Sequence, residues 1–196
     1  METLLPLLGF VIVSTVTPGP NNLMVLTSGA NFGLSRTLPH IFGIALGFPV
    51  LLIAMGLGLG FVFEAYPVLH RILKYVAFAY LLWIAWQITQ AGRPETGESG
   101  ARPLTLLQAA AFQWVNPKAW ALMFGAMALF MTDGGNKVVE IGLIALFFGL
   151  ACVPNGVAWA LFGQAIARFL EDDRQRYWFN IGMAVLLVVS VVPTLF

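Results

Sequence analysis

Long apolar stretches, each nearly free of charge, alternate with short polar segments along the whole chain. A bilayer core about 30 Å thick is crossed by about 20 helical residues. Six stretches approach or exceed that length, at residues 4–28, 38–63, 72–90, 104–131, 141–167 and 177–196. Unpaired backbone amides are not tolerated in lipid, and the stretches lack the alternation of membrane β-barrel strands. The pattern therefore predicts an all-α integral membrane protein with six transmembrane helices.

The composition agrees with a membrane protein rather than a soluble one. Of the 196 residues, 59% are hydrophobic before the 20 glycines are counted, and 10% are charged, whereas soluble domains are about 45–50% apolar with glycine included. The net charge of +1 leaves no basic field to hold a nucleic acid. Cys152 is the single cysteine, and His40 and His70 lie far apart. We therefore expect no metal, no cofactor and no nucleic-acid partner.

Lysine and arginine are distributed unequally between the two ends of the predicted spans. Six lie on one side and three on the other. The first group is Arg36, Arg93, Arg102, Arg168, Arg174 and Arg176, and the second group is Arg71, Lys74 and Lys137. Short cytoplasmic connections carry the excess of positive residues. The first side is therefore predicted to be cytoplasmic, with both termini outside the cytoplasm.

The longest connection, residues 91–103, is rich in glycine, proline and charged residues, which is typical of a mobile linker. It divides a single domain, residues 1–196, into a first half of three spans (1–90) and a second half of three spans (104–196). If the halves are repeats, an odd number of spans in each makes them antiparallel. This is the inverted-repeat arrangement of many secondary transporters.

The first and fourth spans are interrupted at corresponding places in the two halves. The interruptions read Thr17-Pro18-Gly19-Pro20-Asn21-Asn22 and Gln113-Trp114-Val115-Asn116-Pro117-Lys118. Proline removes a backbone donor and disfavours helical geometry in the preceding residue, while Asn before Pro starts a new helix well. As a helix, residues 118–132 would be only about 22 Å long, so the fourth span needs both of its parts to cross. We therefore predict two broken helices that restart within the membrane.

These interruptions and three further motifs resemble the lysine exporter/homoserine–threonine resistance (LysE/RhtB) family of bacterial amino-acid exporters. The resemblance extends over the whole chain. Its most specific motif is the stretch from Thr17 to Asn22 followed by Gly33, Arg36, Gly43, Gly47 and Phe48. The others are Tyr80-Leu81-Leu82-Trp83-Ile84-Ala85, Asn116-Pro117-Lys118-Ala119 and Trp159-Ala160-Leu161-Phe162-Gly163. The first of these departs from the family pattern at Ala85, where glycine is usual.

The resemblance implies a secondary transporter of the bacterial inner membrane that exports amino acids, with proton coupling. The Pro-Gly-Pro-Asn-Asn form is most similar to the branch that exports cysteine and O-acetylserine. No Asp or Glu lies inside a predicted span, so the proton would be carried by Lys118, His40 or the substrate. The same absence disfavours a cationic substrate, whose side chain would meet no countercharge. A small neutral amino acid or derivative is therefore the predicted substrate.

The two interruptions form the predicted substrate-binding site. A half-helix N-terminus carries partial positive charge that suits a substrate carboxylate, and unwound turns offer carbonyls to the substrate ammonium. Lys118 is the one charged residue near the middle of a span, and it either binds that carboxylate or releases a proton during transport; snorkelling to the headgroups is the alternative. The candidate residues are Thr17, Pro18, Gly19, Pro20, Asn21, Asn22, Asn116, Pro117, Lys118 and Asn155.

These features also have purely structural interpretations. The prolines would then only kink helices, and Asn155 would make an interhelical hydrogen bond. The pairs Gly43 with Gly47 and Gly56 with Gly60 allow close helix packing, within the bundle or in a homodimer. No predicted span holds an acid/base pair or an activated nucleophile, so we predict no enzyme. A membrane channel or scaffold subunit without alternating access is the alternative function.

Overall fold

The computed structural model describes residues 4–59, 65–91, 102–132, 134–170 and 172–192. This part of the chain forms seven α-helices and one π-helical turn and contains no strand, which confirms the all-α prediction. The helices are α1 (Leu4–Val16), α2 (Pro20–Ala54), α3 (Pro67–Thr89), α4 (Leu106–Phe112), α5 (Pro117–Phe130), α6 (Lys137–Ala167) and α7 (Asp173–Val189). The π-helical turn, Met55–Leu59, continues directly from α2.

Both predicted interruptions are present. The first separates α1 from α2 at Gly19, whose backbone is extended, and the second separates α4 from α5 at an extended Asn116. Pro20 and Pro117 stand in the first turns of the new helices, where a missing amide hydrogen leaves no intrahelical bond unmade. The sequence pattern therefore located both breaks correctly.

Helix α2 consists of two arms, residues 20–32 and residues 34–54. Between them the backbone leaves helical geometry only at Gly33, whose φ of 77° lies in the left-handed region that glycine adopts without strain. A side chain at this position would strain the backbone. The chain therefore turns at Gly33, inside the polar connection that the sequence predicted between the first two spans.

The two arms of α2 pack on α6 in opposite directions. Contacts along the first arm follow α6 in the same residue order, and contacts along the second arm follow it in reverse. The contacting pairs are Asn22 with Asn155 and Leu26 with Gly163 for the first arm, and Ile41 with Gly156 and Pro49 with Gly149 for the second. The arms are therefore antiparallel, as expected of two successive spans.

Two segments, Pro20–Leu59, which includes the turn at Gly33, and Lys137–Ala167, are long and apolar enough by length and composition to cross a membrane. Leu4–Val16, Tyr75–Thr89 and Pro117–Phe130 are apolar but shorter. The interruptions explain the short length of α1 and α5, because each is one part of a predicted span whose other part lies across a break.

Several helices begin earlier than the apolar pattern predicted. Helix α6 begins at Lys137 rather than at residue 141, and α7 begins at Asp173 rather than at residue 177. In each case the preceding side chain, Asn136 or Asp172, accepts a hydrogen bond from an amide of the first turn, at 3.3 Å and 2.6 Å respectively. Polar capping thus extends the helix beyond its apolar part.

Of the predicted linker, residues 92–101 lie outside the described residues, so its mobility stays a prediction.

The glycine pairs serve packing within the chain. A Cβ at Gly43 would overlap the Leu106 carbonyl oxygen, and a Cβ at Gly47 would lie 2.5 Å from the Ala110 Cα, so both glycines let α2 approach α4 closely. Gly56 packs on α6 in the same way, and Gly60 lies outside the described residues. The intramolecular interpretation is confirmed for Gly43 and Gly47, and a homodimer stays a prediction.

Candidate functional site

The two interruptions lie in direct contact with each other. Asn21 and Gln113 form a reciprocal amide pair, with Asn21 Nδ2 donating to Gln113 Oε1 at 2.8 Å and Gln113 Nε2 donating to Asn21 Oδ1 at 3.1 Å. Gln113 is fully buried and also donates to the Ala109 carbonyl oxygen at 2.9 Å. A partly buried amide pair that is hydrogen-bonded in both directions fixes the register of one break against the other.

Lys118 connects the breaks a second time. Its ammonium donates to the carbonyl oxygen of Thr17 and, at 3.5 Å, to that of Pro18. These carbonyls follow the C-terminus of α1, where partial negative charge favours a cation. Gly19 provides the necessary space, since a Cβ there would lie 2.6 Å from the Lys118 Cδ. The ammonium is thus held between the two breaks, in contact with the carbonyls of the first.

The Asn22 side chain caps the C-terminal end of α1 by binding its last carbonyl groups. Its Nδ2 donates to the carbonyl oxygens of Thr15 at 2.8 Å and Thr17 at 3.0 Å, and its Oδ1 accepts a hydrogen bond from Asn155 Nδ2 at 3.0 Å. Asn155 lies on α6, so three helical segments meet at one side chain. The interhelical hydrogen bond considered for Asn155 is present, and the residue also faces the cavity described next.

A cavity of about 50 Å³ lies at this meeting point. A water molecule needs roughly 10–15 Å³ on the same measure, so the space holds several waters. Predicted and unpredicted residues both line it. The predicted ones are Gly19, Asn21, Asn22, Asn116, Lys118 and Asn155, and the most informative of the others are Ser14, Thr15, Phe48, Phe148 and Cys152. We call this space the break cavity.

The remaining candidate residues shape the cavity without lining it. Thr17 and Pro18 supply the carbonyls that bind Lys118. Pro20 and Pro117 start the helices that follow the breaks. The predicted cluster is therefore brought together, with its members divided between cavity walls and backbone supports.

The two helix N-termini at the cavity differ in how they are capped. The N-terminus of α5 is capped by its own Asn116, whose Oδ1 accepts from the Lys118 amide at 3.1 Å. The N-terminus of α2 follows Gly19 and has no side-chain cap. Because Gly19 touches the arm of Lys118, the uncapped N-terminus of α2 and the ammonium lie side by side. This is the most electropositive part of the cavity wall.

The residues that sequence reasoning missed lie one helical turn from predicted ones or come from distant helices. Cys152 precedes Asn155 by three positions on α6, and Thr15 precedes the first break, so helical periodicity could have identified both. Phe48 and Phe148 pack with ring centroids 4.5 Å apart. Their contact joins α2 to α6 across the bundle, and no motif near either residue predicts it.

Two interrupted helices that meet at a cavity inside an apolar helical bundle are typical of secondary membrane transporters. The chain belongs to the LysE family, since its residues 12–192 match the profile of the LysE type translocator. This confirms the family resemblance and the prediction that the protein is not an enzyme. Family membership also makes it a multi-pass protein of the inner membrane.

The chain is similar along its length to cysteine/O-acetylserine efflux proteins. The protein of that name from Klebsiella pneumoniae is 29% identical over 187 residues, which cover 94% of each chain. The one from Escherichia coli is 29% identical over 190 residues, which cover 93% of this chain and 92% of the relative. No solved structure matches the chain.

Proposed function

We propose that this protein is a secondary transporter that exports small neutral amino acids or their derivatives from the bacterial cytoplasm. The observation that carries the proposal is the meeting of the two breaks around Lys118 at a cavity lined by polar and apolar side chains. A solute bound there would contact both halves of the chain at once. Movement of one half against the other would then expose it to one side of the membrane at a time, which is alternating access.

The electropositive wall of the break cavity suits the carboxylate of an amino acid. The Lys118 ammonium and the uncapped first turn of α2 both offer hydrogen-bond donors beside Gly19. A carboxylate entering here would exchange the carbonyl partners of Lys118 for a stronger, oppositely charged one. Substrate binding would thereby loosen the link between Lys118 and Thr17, which supplies a physical reason for movement between the halves.

Other residues of the cavity lining offer acceptors for the substrate ammonium. Asn155 Oδ1 accepts no hydrogen bond from the described residues, and the Thr15 hydroxyl, which donates to the Val11 carbonyl oxygen at 2.8 Å, keeps its oxygen lone pairs free. No carboxylate from the described part of the chain lines the cavity. A zwitterion is matched by this arrangement, whereas a second positive charge on the side chain would be desolvated without a partner.

The remaining walls support a small, weakly polar side chain. Phe48 and Phe148 close one side, and Cys152 lies beside Asn155. The efflux relatives are named for cysteine and O-acetylserine. Both solutes combine an amino-acid head with a short neutral side chain, so we place the substrate of this protein in the same class.

We further propose six spans in two inverted halves, with both termini outside the cytoplasm. The antiparallel arms of α2, and the occurrence of one break in each half, support three spans per half. The distribution of lysine and arginine supports the orientation. For proton coupling, the candidate carriers stay Lys118, His40 and the substrate.

Export is tested by feeding dipeptides to cells with and without the protein and measuring which free amino acids accumulate in the medium. We expect cysteine and other small neutral amino acids to accumulate several-fold more when the protein is present, and lysine to be unchanged. Identical profiles in the two cultures would contradict export.

Exchange of labelled cysteine in proteoliposomes separates a carrier from a channel, since only a carrier is stimulated by substrate on the opposite side.

Substitution Asn155→Asp tests the argument for a neutral substrate. The new carboxylate supplies the countercharge that the cavity lacks, so we expect lysine to become an inhibitor of export while transport of neutral amino acids falls about tenfold, a change of about 1.4 kcal/mol. The measurement is competition by unlabelled lysine against labelled cysteine. Asn136→Asp, at the cap of the same helix and away from the cavity, is the matched control and should leave both properties unchanged.

A further inference from the structure

A second polar cavity lies along the first arm of α2, beyond the break cavity. It has a volume of about 40 Å³, which is room for roughly three waters. Its polar lining comes from both arms of α2, from α3 and from the segment before α4. The lining residues with polar side chains are Thr27, Ser28, Asn31, His40, Gln87 and Arg102. We call this space the His40 cavity.

His40 is the unusual member of this lining. It is 1% exposed, and neither Nδ1 nor Nε2 has a hydrogen-bond partner among the described residues. A neutral imidazole carries one donor and one acceptor, and burying both unpaired is strongly unfavourable. The sequence placed His40 near a membrane surface at the start of the second span, but the packing of both α2 arms and α3 encloses it. A buried imidazole that lines a cavity with both nitrogens unpaired is suited to bind a polar ligand there.

The other buried polar groups around His40 already have partners. The Ser28 and Thr37 hydroxyls lie 2.9 Å apart, and Thr37 donates to the Gly33 carbonyl oxygen at 2.8 Å. Asn31 and Asn180 form a reciprocal amide pair at 2.7 Å and 3.3 Å. Among these buried polar side chains of the described chain, the His40 imidazole is therefore the one whose hydrogen-bonding atoms are both unused. The hydroxyl oxygens of Ser28 and Thr37 can still accept further hydrogen bonds.

Arg102 is the one charged residue among the described residues that line the His40 cavity, and it is exposed. It belongs to the side that the distribution of arginine assigns to the cytoplasm. No described carboxylate faces the imidazole from α2, α3 or the segment before α4. The cavity therefore combines a cation at its exposed edge with a free imidazole inside, which is a donor set for a carboxylate.

The two cavities share the first arm of α2 and are separated by apolar side chains. Val25 lines the break cavity and the preceding residue, Met24, lines the His40 cavity, so the two spaces approach each other at consecutive residues of the arm, about 1.5 Å apart along the helix axis. Both of these side chains are buried, at 3% exposed for Met24 and 1% for Val25. A solute coming from the Arg102 side would reach the His40 cavity first and the break cavity second.

We propose that the His40 cavity is a second binding station for the transported amino acid, on the cytoplasmic side of the break cavity. In it the His40 imidazole and the Arg102 guanidinium hold the carboxylate, and the Ser28 and Thr27 oxygens accept from the ammonium. The station rests on the proposed export function, since it receives the same solute before the apolar residues Met24 and Val25 open the way to Lys118.

The test uses right-side-out and inside-out membrane vesicles that contain the full-length protein, with labelled L-cysteine kept reduced as the probe. Exchange is measured with the substrate varied on one face at a time. For His40→Leu we expect the apparent KM at the cytoplasmic face to rise about tenfold, while the KM at the external face and kcat stay within about twofold. His40→Gln, which keeps a donor and an acceptor, should recover much of the loss and also covers failure of the leucine variant to fold.

Arg102→Gln should raise the cytoplasmic KM in the same one-sided way. The matched control is Arg168→Gln, which changes an exposed arginine on the same predicted side that does not line the cavity, and it should have no effect on KM.

Equal changes of KM at both faces, or a fall in kcat alone, would show a structural role and overturn the proposed second binding station. Loss of proton-driven export with an unchanged cytoplasmic KM would overturn it in favour of proton transfer by His40. Wild-type vesicles that exchange no amino acid would instead refute the proposed function itself.

Discussion

Replacing Lys118 with methionine is expected to lower the rate of export by about 100-fold. Hydrogen bonds to charged groups are worth roughly 1.5–3 kcal/mol, which corresponds to about a 10- to 150-fold effect. In this protein the substitution removes the ammonium and with it the hydrogen bonds that Lys118 donates to the carbonyl oxygens of Thr17 and Pro18; the Thr17 oxygen keeps Asn22 as a donor. Methionine has a similar length, so the packing beside Gly19 is largely kept. The measurement is the initial efflux of labelled cysteine from preloaded vesicles, per amount of protein.

Two further variants interpret the Lys118 result. Lys118→Arg keeps the charge but places a larger planar group beside Gly19, so we expect intermediate export. Lys137→Met removes an exposed lysine at the start of α6 and should have no effect. Full export by Lys118→Met, with normal protein levels, would show that the ammonium takes no part in binding or movement and would remove the centre of the proposed site.

Replacing Gly163 with alanine is expected to destabilise the protein severely, as is the same change at Gly29. A Cβ at Gly163 would overlap the Leu26 carbonyl oxygen, and a Cβ at Gly29 would overlap the Ala160 carbonyl oxygen. Both clashes are with backbone, so no side-chain movement relieves them and the first arm of α2 must separate from α6. Overpacking of this kind costs about 1–3 kcal/mol or more. We expect Tm of the purified protein to fall by about 10 °C for each variant.

The chain contains matched controls with the opposite expected sign. Gly142 lies on α6 as Gly163 does, and Gly182 lies on α7, and a Cβ at either would meet nothing within 4 Å. Alanine in a helix interior is favoured over glycine by about 1 kcal/mol, so Gly142→Ala and Gly182→Ala should leave Tm unchanged or raise it. Equal effects at all four positions would mean that α2 and α6 are not packed as closely as the structure shows.

The close contact at these glycines also matters for function. It fixes Asn155 of α6 against Asn22 in the first turn of α2, and thereby holds one wall of the break cavity. A loosened contact at Gly163 should therefore reduce export as well as stability. The glycine-to-alanine variants connect packing within the bundle to the geometry of the binding site.

Much of the site could be predicted from local sequence. The proline-rich interruptions can be recognised in the sequence because proline and asparagine affect the backbone within one helical turn. The breaks at Gly19 and Asn116 therefore follow from their neighbouring residues alone. Lys118 stands out because a charge in the middle of an apolar span is rare. These signals gave five of the residues that line the break cavity, and Asn155 of the fifth predicted span was the sixth predicted member of the lining.

Other parts of the site had no local signal. The amide pair of Asn21 with Gln113 joins residues 92 positions apart, and nothing in either segment specifies the partner. The enclosure of His40 depends on both arms of α2 and on α3, whose association is not encoded near residue 40. Sequence also overlooked the different capping of the two half-helices, since the absence of a cap at α2 is evident only when its surroundings are known.

The sequence by itself determined that the chain is helical and membrane-embedded, where its helices break, and which family it belongs to. These properties depend on apolar length, on proline and on short motifs, all of which act over a few residues. The tertiary structure alone decided that the breaks touch, that the Lys118 ammonium is held by the carbonyls after α1, and that His40 is buried without a hydrogen-bond partner in the described part of the chain. Contacts between distant helices arise from shape complementarity over the whole bundle, and no single segment contains that information.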